Sequence, residues 1–416
     1  MRWRRNIDAG RLTTMSSLAS HRPLISVIMA NFAGGQYIER ALDSVLAQTM
    51  SDIEVIVSDD SSPDDSVMRV IEVQRRDPRV RLVLAEENGG PARCRNRALA
   101  EASGDWIAIV DSDDLIHPER LERLLAAAES ANVDAIADDL LFFHESGAPS
   151  RLLLPEAQPA PLEVGAVDWI LAGDNGLPPL GYLKPLIRTA ALRGLRYDET
   201  LRVGEDYDFM LRLLLRGVTL HVVPEPWYFY RRHDQSVSHR ISGRDLAAMI
   251  ESQQRFLATA GRLEPGVEKA AGMRLHKLRT ALAFEQLVGA VKRGKFPAAV
   301  GAAVRYPTNL LRLGRAAVEH VGRRVPHPDP INPALVVLSD DCASPSAELA
   351  DAVLIQVPTY SPPQRPVFGG AARRQLWRQV ADLARGSRPE ILVRGPGGSY
   401  AAGFIPPPMQ LGAGLR

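Results

Sequence analysis

The chain of 416 residues lacks several features that would each point to a class of protein. It has only two cysteines, Cys94 and Cys342, which give no disulfide framework and are typical of a reducing compartment. No apolar run reaches the roughly 18–20 residues that a membrane-spanning helix needs. Lysine plus arginine (50) nearly balances aspartate plus glutamate (49), and the net charge of +1 argues against a general nucleic-acid binder.

The amino terminus has no recognisable secretory signal. Residues 1–5 are basic, but no apolar segment and cleavage site follow them. We expect residues 1–22 to form a loose tail, and Met15 is a candidate alternative start. These observations predict a cytoplasmic protein, and the length leaves room for two or more domains.

Four aliphatic runs alternate with helix-like segments in the first third of the chain. The runs cover residues 24–30, 53–58, 80–85 and 106–110. The helix-like segments cover residues 37–48, 64–76, 93–102 and 118–132. Continuous apolar runs are typical of strands covered on both faces. The alternation therefore predicts an α/β fold with a mainly parallel sheet, right-handed crossovers and flanking helices.

The rest of the chain has a mixed pattern. We predict a strand at residues 135–143, loops at 145–182, a buried helix at 209–215, and short strands at 218–223 and 227–231. Helical periodicity runs from about 244 to 324, with a break near 261–266. Proline and glycine are frequent after 325, where residues 334–338 and 391–393 are candidate strands of a small extra unit.

The fourth aliphatic run ends in Asp111-Ser112-Asp113-Asp114. Three carboxylates in four positions repel one another unless a cation lies among them, and hard oxygen ligands suit Mg²⁺ or Mn²⁺. The alternative is an acidic turn in which one Asp caps the helix that opens at Pro118.

Two other strand ends carry polar turns. The second run leads into Asp59-Asp60, where a carboxylate could accept a hydrogen bond from a nucleobase or a ribose, while Asp64 is better explained as a helix cap. The first run leads into Phe32-Ala33-Gly34-Gly35. Because ligands of parallel sheets bind outside the carboxyl ends of the strands, these turns together predict a site.

Three further segments are candidates for ligand binding or catalysis. Gly89-Gly90 opens a helix beside Arg93, and free amides there would suit an anionic diphosphate. Glu205-Asp206 precedes an apolar helix turn and supplies candidate bases, although acids at a helix start also complement its dipole. Arg232-His233 could close over phosphates, or could form a solvated basic turn.

These motifs, in this order, resemble the family 2 glycosyltransferases, which have the nucleotide-diphosphosugar (GT-A) fold. The resemblance covers roughly residues 23–240. The motifs that carry it begin at Ile25, Ser44, Val57, Asn88, Asp111, Glu205 and Tyr230. It implies four parts: a tail at 1–22, the transferase domain at 23–240, a helical and partly basic region at 241–324, and an extension of unknown role at 325–416.

The resemblance also implies roles for individual residues. It implies that Asp60 contacts the base of a nucleoside diphosphate, usually uridine. It makes Asp113 the main ligand of Mn²⁺ or Mg²⁺, with Asp111 supporting the metal or the ribose, and Ser112 joins the nucleotide-sugar site. Asp206 matches the base that deprotonates an acceptor hydroxyl for inverting attack. Where many members have Tyr-Asn, this chain has Phe32-Ala33, so only stacking is expected there.

The sequence also gives expectations about a membrane contact, from its basic segment, and about the acceptor, from the resemblance. Residues 291–324 carry eight basic residues and one acid, Glu319, on segments with apolar faces. They are a candidate contact for an anionic membrane surface, or they pack on an acidic face of the protein. Relatives often elongate lipid-linked saccharides for bacterial exopolysaccharide, so a polyprenyl-diphosphate-linked acceptor fits.

Two other classes of function compete with a metal-dependent glycosyltransferase. A phosphotransfer protein is disfavoured, because a phosphatase-like Asp pair would follow the first strand and here it follows the fourth. A catalytically silent component that binds a sugar nucleotide is the alternative, and the retained Asp206 argues against it.

Overall fold

The computed structural model describes residues 22–144, 151–155, 161–174, 176–233, 241–259 and 261–293, and three strands between residues 335 and 394. The predicted tail lies outside the described residues except for Arg22. Cys342 and most of the basic segment 291–324 also lie outside them.

Ten strands form one sheet in the order β3-β2-β1-β4-β9-β6-β10-β5, with β7 paired to β6 and β8 paired to β10. Their bounds are β1 (Ile25–Asn31), β2 (Ile53–Asp59), β3 (Val80–Leu84), β4 (Trp106–Ile109), β5 (Leu115–Ile116), β6 (Ala135–His144), β7 (Arg151–Leu152), β8 (Leu162–Val164), β9 (Leu186–Arg188) and β10 (Leu220–Arg232). Strands β1 to β4 pair in parallel, which confirms the prediction for the first third of the chain.

The sheet becomes mixed at β9, which runs antiparallel to both β4 and β6. Helices flank the sheet. They are α1 (Ile38–Leu46), α2 (Ser66–Arg76), α3 (Pro91–Glu101), α4 (Arg120–Ala131), α5 (Ala166–Leu171), α6 (Thr189–Leu192), α7 (Glu205–Leu214), α8 (Gly243–Thr259) and α9 (Pro265–Lys292). The predicted break near residues 261–266 is confirmed, because α8 ends at Thr259 and Pro265 opens α9.

Strand β10 corrects one prediction. Two short strands were expected, but a single strand runs from Leu220 to Arg232 and pairs in parallel with β6. The pairing register shifts between Val223 and Tyr228. Pro224 and Pro226 lie in that interval and cannot donate to the ladder, so the strand carries an irregularity instead of ending. The prediction of loops at 145–182 was likewise incomplete, because β7, β8 and α5 lie there.

The core lies on both faces of the parallel half of the sheet. Val27 and Ile28 of β1 and Val55 and Ile56 of β2 are at most 1% exposed. Full burial of each such side chain contributes about 1.5–3 kcal/mol, which explains why these strands have no polar face. This packing gives the turns at the carboxyl ends a rigid support.

A second sheet has three parallel strands, β11 (Leu335–Ser339), β12 (Val353–Gln356) and β13 (Glu390–Arg394), in the order β12-β11-β13. The strands predicted near 334–338 and 391–393 are confirmed, and β12 was not predicted. Among the described residues, none of the helices combines the length and the apolar character that crossing a bilayer requires.

Candidate active site

The carboxyl ends of β1, β2 and β4 lie at one edge of the sheet. Parallel pairing aligns Asn31 at the end of β1 with Asp59 at the end of β2. Strand β4 pairs with the other side of β1, and the chain continues from it into Asp111. The polar turns expected from the sequence therefore share one edge, where ligands of such sheets bind.

The first acidic turn, residues 59–62, satisfies its own carboxylates. Asp59 accepts hydrogen bonds from Asn31 Nδ2 and Ser62 Oγ, both at 2.7 Å. Asp60 is only 2% exposed, and its Oδ1 accepts from Arg97 Nη2 at 2.7 Å. The negative charge of this turn is thus compensated by groups of the protein itself.

The glycine-rich turn before α3 is tied to Asp60. The amides of Gly89 and Gly90 donate to Asp60 Oδ2 at 3.0 and 2.7 Å. The expectation that these amides are free for a diphosphate is wrong, because a buried carboxylate of the adjoining turn already accepts from both. Arg93, expected beside the diphosphate, pairs with Glu87 at 3.1 Å on the surface.

The turn after β1 approaches the second acidic turn closely. A Cβ added to Gly34 would lie 2.3 Å from Asn31 Oδ1 and 3.3 Å from Ser112 Oγ, so a side chain here would have to displace the Asn31 amide. Phe32 is 53% exposed, which leaves its ring available for stacking on a planar ligand.

The second acidic turn, residues 111–114, brings three carboxylates together, with one oxygen of each inside a group 4.8 Å wide. Asp114 is the buried member. It accepts from Tyr228 Oη and from the Arg231 amide, both at 2.7 Å. Burial, reinforced by the charges of Asp113 and Asp111, raises the pKa of Asp114 well above its usual value.

Asp113 is oriented but still accessible. Its Oδ2 lies 2.9 Å from His233 Nε2, and its carbonyl oxygen accepts from Arg231 Nε at 2.7 Å. The His233 ring contacts the ring of Tyr37, with centroids 4.8 Å apart. The Asp113 side chain is nevertheless 31% exposed, so this carboxylate can reach a ligand.

The chemistry of these acids fits a divalent cation, and Asp113 is the most exposed of the three. Hard carboxylate oxygens suit Mg²⁺ and Mn²⁺. The oxygens of Asp111 and Asp114 are engaged by protein donors, whereas Asp113 contacts His233 through one oxygen and is exposed. If such an ion binds, Asp113 is the acid that could reach it, and Asp111 and Asp114 would add negative charge nearby.

Glu205 and Asp206 begin α7 after Gly204, whose φ of 87° suits only glycine without strain. The Glu205 side chain is 10% exposed and the Asp206 side chain 22%, so Asp206 is the more accessible of the two candidate bases. Burial, together with the charge of Asp206, raises the pKa of Glu205 to about 7.

Two buried cations join this helix start to the second acidic turn. Arg95 binds Asp111 at 3.0 Å, Glu205 at 2.7 Å and Asp206 at 3.3 Å. Lys184 binds Asp111 at 2.7 Å and Asp206 at 3.1 Å. Burial would raise the pKa of Asp111, but the two cations outweigh it and hold that pKa well below the usual range.

Sequence analysis missed both cations. Arg95 lies two positions after Arg93 on α3, and residues two apart on a helix point in different directions. One signal for Lys184 was present, since the five lysines stand at positions 184, 269, 277, 292 and 295, so Lys184 is the only lysine before residue 269.

Arg232, expected near a diphosphate, lies among aromatic rings. Its guanidinium is 4.8 Å from the Phe142 ring, 5.0 Å from the Tyr182 ring and 5.4 Å from the Tyr230 ring. Its neighbour His233 is the residue of this pair that contacts the acidic turn. Residues 234–240 lie outside the described part of the chain.

Comparison with known proteins gives a family match and relatives that share a large part of the chain. The family described as "Glycosyl transferase family 2" matches residues 26–157. The chain is 31% identical over 314 residues to the succinoglycan biosynthesis protein ExoO of Rhizobium meliloti (strain 1021), covering 74% of this chain and 89% of that protein. It is 32% identical over 295 residues to ExoU of the same organism, covering 69% of this chain and 84% of that protein.

A solved structure supports the fold. S. aureus TarS 1-349, in complex with UDP-GlcNAc, superposes with a TM-score of 0.51 at 24% identity, covering 67% of this chain and 79% of that one. The mainly parallel core of the sheet and the flanking helices therefore form a GT-A fold, as the sequence predicted.

Proposed function

The chain belongs to glycosyl transferase family 2 and is a glycosyltransferase, and we propose that it moves a sugar from a nucleotide-diphosphate sugar to a hydroxyl of a saccharide acceptor with inversion at the anomeric carbon. The observation that carries the proposal is the contact of both Asp111 and Asp206 with Lys184. It supports a single site in which a donor-binding edge and a base act together.

On the donor side, we propose a uridine diphosphate sugar bound at the carboxyl edge. Phe32 stacks on the base, and Asp60 accepts a hydrogen bond from it through Oδ1, which has one donor, Arg97, and keeps a second lone pair. Asp111 and Ser112 contact the ribose. A Mn²⁺ or Mg²⁺ ion held by Asp113 supplies Lewis-acid stabilisation of the diphosphate when bound.

On the acceptor side, Asp206 receives the proton of the attacking hydroxyl. The acceptor oxygen forms a bond to the anomeric carbon, and the bond from that carbon to the diphosphate oxygen breaks with its electron pair. The accessibility of Asp206 relative to Glu205 supports this assignment. A single displacement of this kind inverts the configuration of the sugar.

The proposed acceptor is a lipid-linked saccharide of bacterial exopolysaccharide synthesis. The names of ExoO and ExoU, which are succinoglycan biosynthesis proteins, support this class of product. The basic segment 291–324 is the proposed contact with an anionic membrane surface. Cosedimentation of the full chain with anionic, but not with zwitterionic, vesicles is the expected result, and equal sedimentation with both would contradict it.

Incubation with a panel of nucleotide sugars and Mn²⁺ tests the activity directly. We expect one donor to release its nucleoside diphosphate, and the release to accelerate when lipid-linked oligosaccharide is added. A protein that binds a nucleotide sugar tightly and never releases the diphosphate would instead be a silent binding component.

A further inference from the structure

Lys184 connects two parts of the site that come from distant parts of the chain. It follows the single helical turn at Leu180–Tyr182 and precedes β9, and it is 4% exposed. Its Nζ lies 2.7 Å from Asp111 Oδ2 and 3.1 Å from Asp206 Oδ2. The same ammonium group therefore contacts the donor-side acid and the proposed base.

Lys184 carries a charge in this position. Burial alone would favour the neutral amine, but the carboxylates of Asp111 and Asp206 outweigh it and hold the pKa of Lys184 well above 10.5. With Arg95, it gives two positive charges against the three carboxylates of Asp111, Glu205 and Asp206. Loss of Lys184 would leave the carboxylates of Asp111, Glu205 and Asp206 with Arg95 as their one remaining cation among these contacts.

The choice of lysine is unusual for this chain, in which only five of the 50 basic residues are lysines. A guanidinium is a planar fork that suits bidentate pairing, whereas an ammonium is a compact charge on a flexible stem. A compact charge can stay in contact with two carboxylates while the charge on one of them changes.

The proposed transfer involves such a change. When the acceptor oxygen bonds to the anomeric carbon, its proton goes to Asp206 and the electron pair of the broken bond goes to the diphosphate. One negative charge thus leaves Asp206 and one appears on the leaving group at the donor edge. A cation between Asp206 and Asp111 stays close to both positions, so it needs little movement during the step.

We infer that Lys184 is a positioning residue for sugar transfer, which holds the Asp206 carboxylate oriented toward the acceptor and joins it to the donor-side Asp111. The inference rests on the proposed function. It predicts that Lys184 acts on the transfer step through Asp206, and acts only weakly on the binding of the donor.

The test is a double-mutant cycle of Lys184→Gln and Asp206→Asn, with Lys184→Arg as the charge-conserving variant. Lys269→Gln, at an exposed position of α9, is the matched control. For each protein, kcat is measured from nucleoside diphosphate release, donor Kd by calorimetry without acceptor, and Tm by thermal unfolding.

We expect Lys184→Gln to lower kcat about 100-fold, as for removal of one preorganised charge partner, and to change donor Kd by less than about threefold. Lys184→Arg should recover part of kcat, and Lys269→Gln should match the wild type. In the Asp206→Asn background, Lys184→Gln should change kcat by less than about threefold, because residues that act as a unit are not additive.

Three results would overturn the inference. The first is that Lys184→Gln raises donor Kd by as large a factor as it lowers kcat/KM, with kcat unchanged. The second is that the losses of kcat in the two single variants add up in the double variant. The third is that Lys184→Gln keeps the kcat of the wild type. If Lys184→Gln does not fold, the double variant, which removes one charge of each sign, is compared with Asp206→Asn alone. A kcat much lower in the double variant than in Asp206→Asn would then overturn the inference.

Failure of the proposed function gives a different pattern. In that case the wild type releases no nucleoside diphosphate from any donor, and the inference falls with the function. The Tm values of the cycle remain informative, because additive shifts would show that Lys184 and Asp206 are not coupled even in the absence of substrate.

Discussion

The first and second acidic turns have similar sequences but different surroundings. Both follow a buried parallel strand, and both begin with an aspartate at the carboxyl edge of the sheet. In the first turn, Asp59 and Asp60 are at most 2% exposed and bind amides, Ser62 and Arg97. In the second turn, the Asp113 side chain remains 31% exposed. Neighbouring donors, more than the acidic residues themselves, therefore distinguish a turn whose carboxylates are held by the protein from a turn whose carboxylate can reach a metal ion.

The second turn is expected to show the largest functional effect. Asp113→Asn should lower kcat/KM roughly 1,000-fold, because the exposed charge that would hold the divalent cation is removed. Its Tm should stay within about 2 °C of the wild type. Asp134→Asn, which alters an exposed pair with Arg188, is the control for kcat/KM and Tm. Full activity of Asp113→Asn would remove the distinction between the two turns.

Metal binding should distinguish the turns without any assay of activity. At a Mn²⁺ concentration 100-fold above Kd, binding to the folded state should stabilise the wild type by about 2.7 kcal/mol. Thermal unfolding should show this stabilisation in Asp60→Asn and not in Asp113→Asn. Stabilisation of Asp113→Asn equal to that of the wild type would place the ion elsewhere.

The first turn is expected to affect stability more than chemistry. Asp60→Asn weakens the charge-assisted bonds to Gly89, Gly90 and Arg97, and should lower the free energy of unfolding by about 2 kcal/mol. Denaturant titration measures this loss. Asp65→Asn, at an exposed helix pair with Arg69, is the control and should leave the free energy of unfolding unchanged within error. An unchanged stability of Asp60→Asn would show that its buried contacts contribute little.

Glu205 gives the smallest expected effect and adds a third environment to the comparison. Because its pKa is raised from 4.5 to about 7, the folded state binds the proton more tightly than the unfolded chain does. Its contribution to stability is therefore fully present below pH 4.5 and is lost as the pH rises toward 7. At pH 8 the Tm of Glu205→Gln should therefore exceed that of the wild type by a few degrees, since a stabilisation of 1 kcal/mol corresponds to roughly 2–4 °C.

The gain in Tm should shrink as the pH falls from 7 to 4.5. Asp208→Asn, on the same helix and paired with Arg212, is the control for the loss of a carboxylate from α7. A constant difference between Glu205→Gln and the wild type across this range would contradict the raised pKa.

The parallel half of the fold and its polar turns could be predicted from the sequence, because aliphatic runs and helical periods are local patterns. The shared edge of Asp60 and Asp111 followed from the topology of parallel strands. The antiparallel insertion of β9 between β4 and β6 could not be predicted, because its three residues carry too short a pattern.

The partners of the acids were also beyond prediction. Arg95 pairs with Glu205 across 110 positions, and Lys184 lies in a loop rich in proline and glycine. Whether Arg93 or Arg95 points toward the site depends on how α3 is rotated about its axis as it packs on the sheet. The capture of the Gly89 and Gly90 amides by Asp60 depends in turn on how closely two loops approach.

Because a single displacement assisted by Asp206 inverts the anomeric carbon, the configuration of the product is the sharpest test of the proposed transfer. Proton NMR of the purified product gives the configuration at the transferred anomeric carbon. The proposed displacement gives a β-linked product from an α-linked nucleotide sugar. An α-linked product from the same donor would contradict it.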